Sequence, residues 1–226
     1  MEAIVLAGGM GTRLANVVKD VPKPMAPVRG RPFLEYLLDD LIRQGVTRII
    51  LAVRHKKEVI IEYFGTQYSG AALRYSVEDV PLFTGGAVKK ALALCRNEYV
   101  WVFNGDSFFQ VSLDEMKRFA AAQGCPITIA VKRMKNFSRY GNVEIDADHR
   151  VTAFHEKRFC AEGWINGGVY LLKADSLDAC PDAFSLENDC FPKLLTGREI
   201  AAYQSGGSFI DIGVPDDYEA AQGFFL

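Results

Sequence analysis

The feature that most constrains this chain lies at its start. The apolar run Glu2–Ala7 passes without a break into Gly8-Gly9-Met10-Gly11-Thr12-Arg13-Leu14. A strand ending in glycines at three of four positions lets the backbone approach a ligand closely and turn its amides inward. Arg13 adds a planar cationic fork suited to phosphate. A tight turn that only needs positive φ rarely requires so many glycines and an arginine. Two better-known phosphate loops fail. A P-loop requires Gly-Lys-Ser/Thr, and the chain contains no Gly-Lys pair. A dinucleotide fingerprint fits Gly9 and Gly11, but Leu14 stands where Gly or Ala is needed. Val53-Arg54 also stands where an acid should close the second strand.

Apolar runs then alternate with helical patterns. Strands are predicted over Glu2–Ala7, Thr47–Val53, Leu73–Val77, Tyr99–Asn104 and Ile127–Lys132. Helices are predicted over Pro32–Gln44, Lys56–Phe64, from near Gly86, and over Leu113–Gln123, where Ser112 and Glu115 form a capping box. This βαβα order predicts a single-domain α/β fold, with a mostly parallel sheet and helices on both faces. After Met134 the pattern becomes strand-rich. Asn142–Ile145 and Val151–His155 read as a hairpin and Trp164–Leu172 as a strand. Ile200–Ser205 and Ser208–Ile212 flank Gly206-Gly207, and Pro215–Phe225 reads as a helix. No repeat or linker divides the 226 residues, a length that buries roughly 70% of the extended chain's surface without a disulfide or metal staple.

Charge and composition exclude several classes. With 26 basic and 28 acidic side chains, bulk attraction to nucleic acid is not expected. No apolar run approaches the ~18 residues that span a bilayer, so no membrane partner is expected. Met1-Glu2-Ala3 does not look like an export signal, and five scattered cysteines without a CxxC pair read as reduced thiols; both predict a cytoplasmic protein. His55, His149 and His155 lack metal-ligand spacing, and no Ser or Cys pairs with a histidine as a nucleophile. Covalent catalysis is not expected, and a homo-oligomer is left open.

Other residues carry chemistry. In Val21-Pro22-Lys23-Pro24-Met25 two prolines fix the backbone around Lys23 and are expected to bar a helix there. Tyr99–Phe103 ends in Asn104-Gly105-Asp106, at the carboxyl end of a strand, where parallel sheets bind ligands. Asp211 is likewise embedded in an apolar segment. A buried carboxylate needs a partner. One Mg²⁺ shared by Asp106 and Asp211 would meet that need, although either alone could cap a turn or pair with a base.

AGGMGTRL followed by PKPM resembles the signature of the sugar-1-phosphate nucleotidyltransferases, and later motifs extend the resemblance along the chain. It implies a Rossmann-like fold of the nucleotide-diphospho-sugar transferase type. Residues 1–133 would form a nucleotide-binding half and 134–226 a sugar-phosphate-binding half. Leu6, Ala7, Gly8, Gly9, Gly11, Thr12, Arg13, Asn104 and Gly105 would then bind nucleotide. Glu78, Pro81, Thr84 and Gly85, within and before the PLFTGGA segment, resemble the loop that reads the base. Gly141, Glu156, Lys157 and Asn166 match sugar-phosphate motifs, and Asp106 and Asp211 occupy the positions of metal-binding aspartates. Phe83 departs from the usual Gly, Arg158 from a Pro, and Ile212 and Val214 from threonines. The chain is also expected to lack the β-helix or long extension of some relatives. Its length and its Asn-Gly-Asp-Ser-Phe-Phe and Tyr-Gly-Asn-Val motifs resemble the heptose-1-phosphate guanylyltransferase branch. Alternatives are thymidylyl-, uridylyl- or mannose-1-phosphate guanylyltransferases and a non-catalytic nucleotide-sugar sensor. Leu14 and Arg54 disfavour a dehydrogenase.

The resemblance implies that an NTP and a sugar 1-phosphate give an NDP-sugar and pyrophosphate. The sugar phosphate is already an anionic nucleophile, so positioning and charge neutralisation supply the catalysis, through Arg13, Lys23 and Asp106. Removing one charge-stabilising contact costs roughly 3–4 kcal/mol, so Arg13→Ala is expected to slow turnover about 100- to 1000-fold in a steady-state assay. A variant within a few-fold of the parent would refute this role.

Overall fold

The first apolar run forms the centre of the sheet. In the computed structural model, which describes residues 1–11, 13–14 and 17–225, the chain runs through β1 (Glu2–Leu6), a short hairpin of β2 (Pro27–Val28) and β3 (Arg31–Pro32), α1 (Phe33–Arg43), β4 (Arg48–Val53), α2 (Lys57–Phe64), β5 (Gln67–Tyr68), β6 (Ala71–Val77), α3 (Phe83–Leu92) and β7 (Tyr99–Asn104). There follow β8 (Ser107–Phe109), α4 (Leu113–Gln123), β9 (Ile127–Phe137), β10 (Asn142–Ile145), β11 (Val151–Phe154), β12 (Cys160–Lys173), α5 (Phe191–Leu194), β13 (Ile200–Ser205), β14 (Phe209–Asp211) and α6 (Pro215–Phe224).

Strands β7, β1, β4 and β6 lie side by side and parallel. The continuous apolar runs cause this arrangement, since a strand covered on both faces has no polar side. Ala3 and Val5 pack into one core with Leu34, Leu38 and Leu41 of α1, whereas Ile4 faces the opposite core with Val88 and Ala91 of α3. Helices therefore cover both faces. Each fully buried aliphatic side chain contributes roughly 1.5–3 kcal/mol of transfer free energy. The second half supplies an antiparallel wing: β12 joins the sheet beside β7 and also pairs β9 and β10. β14 instead forms a separate antiparallel ladder with β8, placing Asp211 opposite Ser107.

Most predicted boundaries fall within a residue or two of these elements. The Ser112 side chain accepts from Glu115 N at 3.3 Å, as its capping box requires. Lys23–Met25 departs from the expectation by forming one 3₁₀ turn that follows Pro22 and contains Pro24. A single such turn needs no amide from Pro24, so proline tolerates it. α3 starts at Phe83, before Gly86, and β9 and β12 run longer than their apolar cores because they pair with each other along their polar ends. The π-helical turn Leu186–Cys190 carries no periodic signal and was not predicted. Among the described residues, no helix is long and apolar enough to cross a membrane.

Candidate active site

A cavity of about 560 Å³ opens at the carboxyl ends of the parallel strands. Of the expected nucleotide-binding residues, Leu6, Gly8, Gly9, Gly11, Arg13, Glu78, Pro81, Thr84 and Asn104 line it, as does Asp106. Ala7, Gly85 and Gly105 do not. Ala7 is buried and donates its amide to Ala52 O, Gly85 packs beneath the Phe184 ring, and Gly105 donates to Leu6 O at 2.9 Å. Thr12 lies outside the described residues.

Lys23 is the buried cation of the site. The 3₁₀ turn carries it inward, and its Nζ lies 2.5 Å from Asp106 Oδ2 and 3.8 Å from Asp211 Oδ1. The two carboxylates meet because the β8–β14 ladder sets Asp211 beside the turn after β7, where Ile212 N donates to Asp106 O at 3.0 Å. Gly11 permits this packing. Its φ is +60°, and a Cβ there would stand 2.9 Å from Lys23 Cβ. Burial, reinforced by repulsion from Asp106, pushes the Asp211 carboxyl above the usual range despite the attraction of Lys23 and the bond from Gly213 N. Among the described residues, no three metal-ligating side chains cluster. Asp106 and Asp211 are the two converging carboxylates that would hold a divalent cation here, with phosphate oxygens and water completing its coordination.

At the other end of the cavity Glu78 is 7% exposed, and its Oε2 accepts from Leu82 N at 3.2 Å. Burial pushes its carboxyl up, partly offset by that bond and by Arg54 and Lys90. Phe83 adopts φ +58°, the left-handed conformation natural to glycine, with its ring 65% exposed at the cavity's rim. The loop backbone thus keeps a glycine-like shape at the cost of strain.

The expected sugar-side residues lie beyond this cavity. Gly141 packs against the His155 carbonyl, which precedes the exposed Glu156 and Lys157. His155 itself pairs with Glu144 at 2.8 Å. The Asn166 side chain bonds Tyr170 and Gly168 N, and Gly168 abuts the Asn104 side chain. Arg54 was overlooked as a lining residue, although its place at the carboxyl end of β4 is the signal that finds it. The five cysteines are free thiols. Burial pushes Cys95 and Cys190 up to about 12, which suits packing and not nucleophilic attack.

Two outcomes follow from this geometry. Because the folded pKa of Asp211 exceeds its unfolded value, metal-free stability falls as pH rises through that pKa. In EDTA, Asp211→Asn is therefore expected to melt above the parent at pH 7, with the gap closing once pH drops below the carboxylate range; a lower melting temperature at pH 7 would contradict this. Phe83→Gly relieves a left-handed aromatic residue and is expected to stabilise the protein by about 1 kcal/mol in denaturant titration.

A family model described as Nucleotidyl transferase matches residues 2–226. The D-glycero-alpha-D-manno-heptose 1-phosphate guanylyltransferase of Aneurinibacillus thermoaerophilus is 44% identical over 224 residues, covering 98% of this chain and 97% of that protein. A mannose-1-phosphate guanylyltransferase of Mycobacterium tuberculosis is 33% identical, covering 96% of this chain but 62% of its own length. HddC from Yersinia pseudotuberculosis, in its crystal structure complexed with GMP-PN, superposes with a TM-score of 0.87 at 35% identity, over 100% of this chain and 99% of that one. Matched by one family model from its second residue to its last, the chain belongs to the nucleotidyl transferase family and is a nucleotidyltransferase.

Proposed function

We propose that this nucleotidyltransferase joins GTP to D-glycero-α-D-manno-heptose 1-phosphate, giving GDP-heptose and pyrophosphate in the cytoplasm. The buried Glu78 carboxylate in the nucleotide cavity carries the choice of base. Guanine alone presents two adjacent donors, N1–H and the N2 amino group, on its pairing edge, and a carboxylate accepts both. The other bases present an acceptor beside their donor, which a carboxylate repels. Full-length similarity to a heptose 1-phosphate guanylyltransferase supports the choice of sugar.

In this reading the nucleotide occupies residues 1–133 and the sugar phosphate is held by 134–226. The Gly8–Gly11 amides and Arg13 hold the triphosphate, with Arg13 on the leaving pyrophosphate. Lys23 and Lys157 neutralise phosphates, and Gly141, Glu156 and Asn166 orient the sugar. A phosphate oxygen of the sugar 1-phosphate attacks the α-phosphorus as the bond to the β-phosphate bridging oxygen breaks. The nucleophile is already ionised, so no side chain need remove a proton. Asp106 and Asp211 would hold Mg²⁺, which supplies positive charge beside the reacting phosphate when bound.

A matrix of four NTPs against sugar 1-phosphates, read by pyrophosphate release, tests the proposal. GTP with the heptose 1-phosphate is expected to give the highest kcat/KM, and a tenfold preference for another pair would overturn it. Glu78→Gln is expected to raise KM for GTP about tenfold, since it replaces a charged acceptor with a neutral one. With its pKa raised by burial, Glu78 gains a proton at higher pH than a free glutamate. KM for GTP is thus expected to climb early on the acid side in the parent and to stay flat in Glu78→Gln.

A further inference from the structure

A line of side chains links the two sides of this site. Thr84, in the first turn of α3 and on the wall of the nucleotide cavity, donates its hydroxyl to Glu187 Oε2 at 2.8 Å. The other oxygen of Glu187 accepts from the Tyr170 hydroxyl at 3.1 Å. Tyr170 in turn accepts from Asn166 Nδ2 at 2.9 Å. Tyr170 is fully buried, and burial beside Glu187 keeps its hydroxyl protonated and able to donate. The Asn166 amide is specified at both ends, because its Oδ1 accepts from Gly168 N at 3.0 Å while Nδ2 is committed to Tyr170. Gly168 N identifies the amide's oxygen, and Tyr170 holds its nitrogen end.

The base-side end is tied equally firmly. Leu186 N donates to Thr84 Oγ1 at 2.9 Å, and Ser185 Oγ donates to Glu187 Oε2 at 3.1 Å. The amides of Gly85 and Gly86 both reach Phe184 O. The 184–187 segment therefore clamps the start of α3, and Glu187 is its only side chain bonded to both Thr84 and Tyr170 among the described residues.

We infer that Glu187 and Tyr170 are positioning residues which register the sugar-side Asn166 amide against the base-side turn of α3, so that the two substrate subsites are held as one unit. This rests on the proposed role of Asn166 in sugar binding. A carboxylate suits the middle position because it accepts from both sides at once. A glutamine there offers one acceptor oxygen and must reverse the direction of one link, turning a hydroxyl from donor to acceptor.

The test compares KM for GTP, KM for heptose 1-phosphate, kcat and melting temperature in Tyr170→Phe, Glu187→Gln, their double variant and Asn166→Ala. Tyr170→Phe preserves the ring and its packing. It is expected to raise KM for the sugar phosphate about tenfold while leaving KM for GTP within twofold. Glu187→Gln is expected to raise both KM values, and the double variant to be no worse than Glu187→Gln, since one line cannot be broken twice. A fall in melting temperature with both KM values unchanged would overturn the inference, as would additive losses in the double variant. If Asn166→Ala raises the sugar-phosphate KM and Tyr170→Phe does not, the link alone fails. If Asn166→Ala leaves that KM unchanged, the assignment of Asn166 to the sugar fails first.

Discussion

One buried ammonium between two carboxylates organises the functional half of this molecule. Lys23, Asp106 and Asp211 come from an N-terminal loop, the turn after a central strand and a late strand, and of the three the buried Lys23 ammonium most needs its carboxylate partners. The Lys23 ammonium lies nearer Asp106 than Asp211, and the more deeply buried Asp211 bears the penalty as a raised pKa. The fold thus holds two carboxylates against one ammonium beside a cavity whose lining also carries Arg13 and Arg54. Such an arrangement calls for a divalent cation when phosphates arrive. In the proposed reaction, anionic reactants that repel each other in water would meet there among charges already oriented by the fold.

The sheet explains why these groups converge. Parallel strands β1, β4, β6 and β7 all end at the same edge, so the glycine loop, Arg54, Glu78 and Asn104 follow strand ends and meet without any special design. The antiparallel wing brings the second half across through β12, and the small β8–β14 ladder delivers Asp211. Of the residues proposed for the sugar side, Asn166 stands on β12 outside the cavity and is joined to Thr84 on its wall through Tyr170 and Glu187.

Much of this was legible in the residues. Continuous apolar runs marked the parallel strands, and Ser112 with Glu115 marked the start of α4. Three glycines before Arg13 marked a loop that lines the cavity. Glu78 and Asp211 were found by motif, but their burial and raised pKa values depend on neighbours distant in the chain. Long-range pairing escaped for the same reason. Nothing local says that Ile200–Ser205 pairs in parallel with β9 while Phe209–Asp211 pairs with β8. The turn at Lys23 was misjudged because proline rules speak against long helices and not against a single 3₁₀ turn. Tyr170 and Glu187 carried no polar pattern of their own, since a buried tyrosine in a strand reads as core.

The shared-cation claim is tested most directly by titrating Mn²⁺, a paramagnetic stand-in for Mg²⁺, into protein saturated with nucleotide and following bound ion by electron paramagnetic resonance. One tightly bound ion is predicted for the parent, with binding weakened at least tenfold in both Asp106→Asn and Asp211→Asn. Undiminished binding in either variant would mean that the two carboxylates do not hold one ion together.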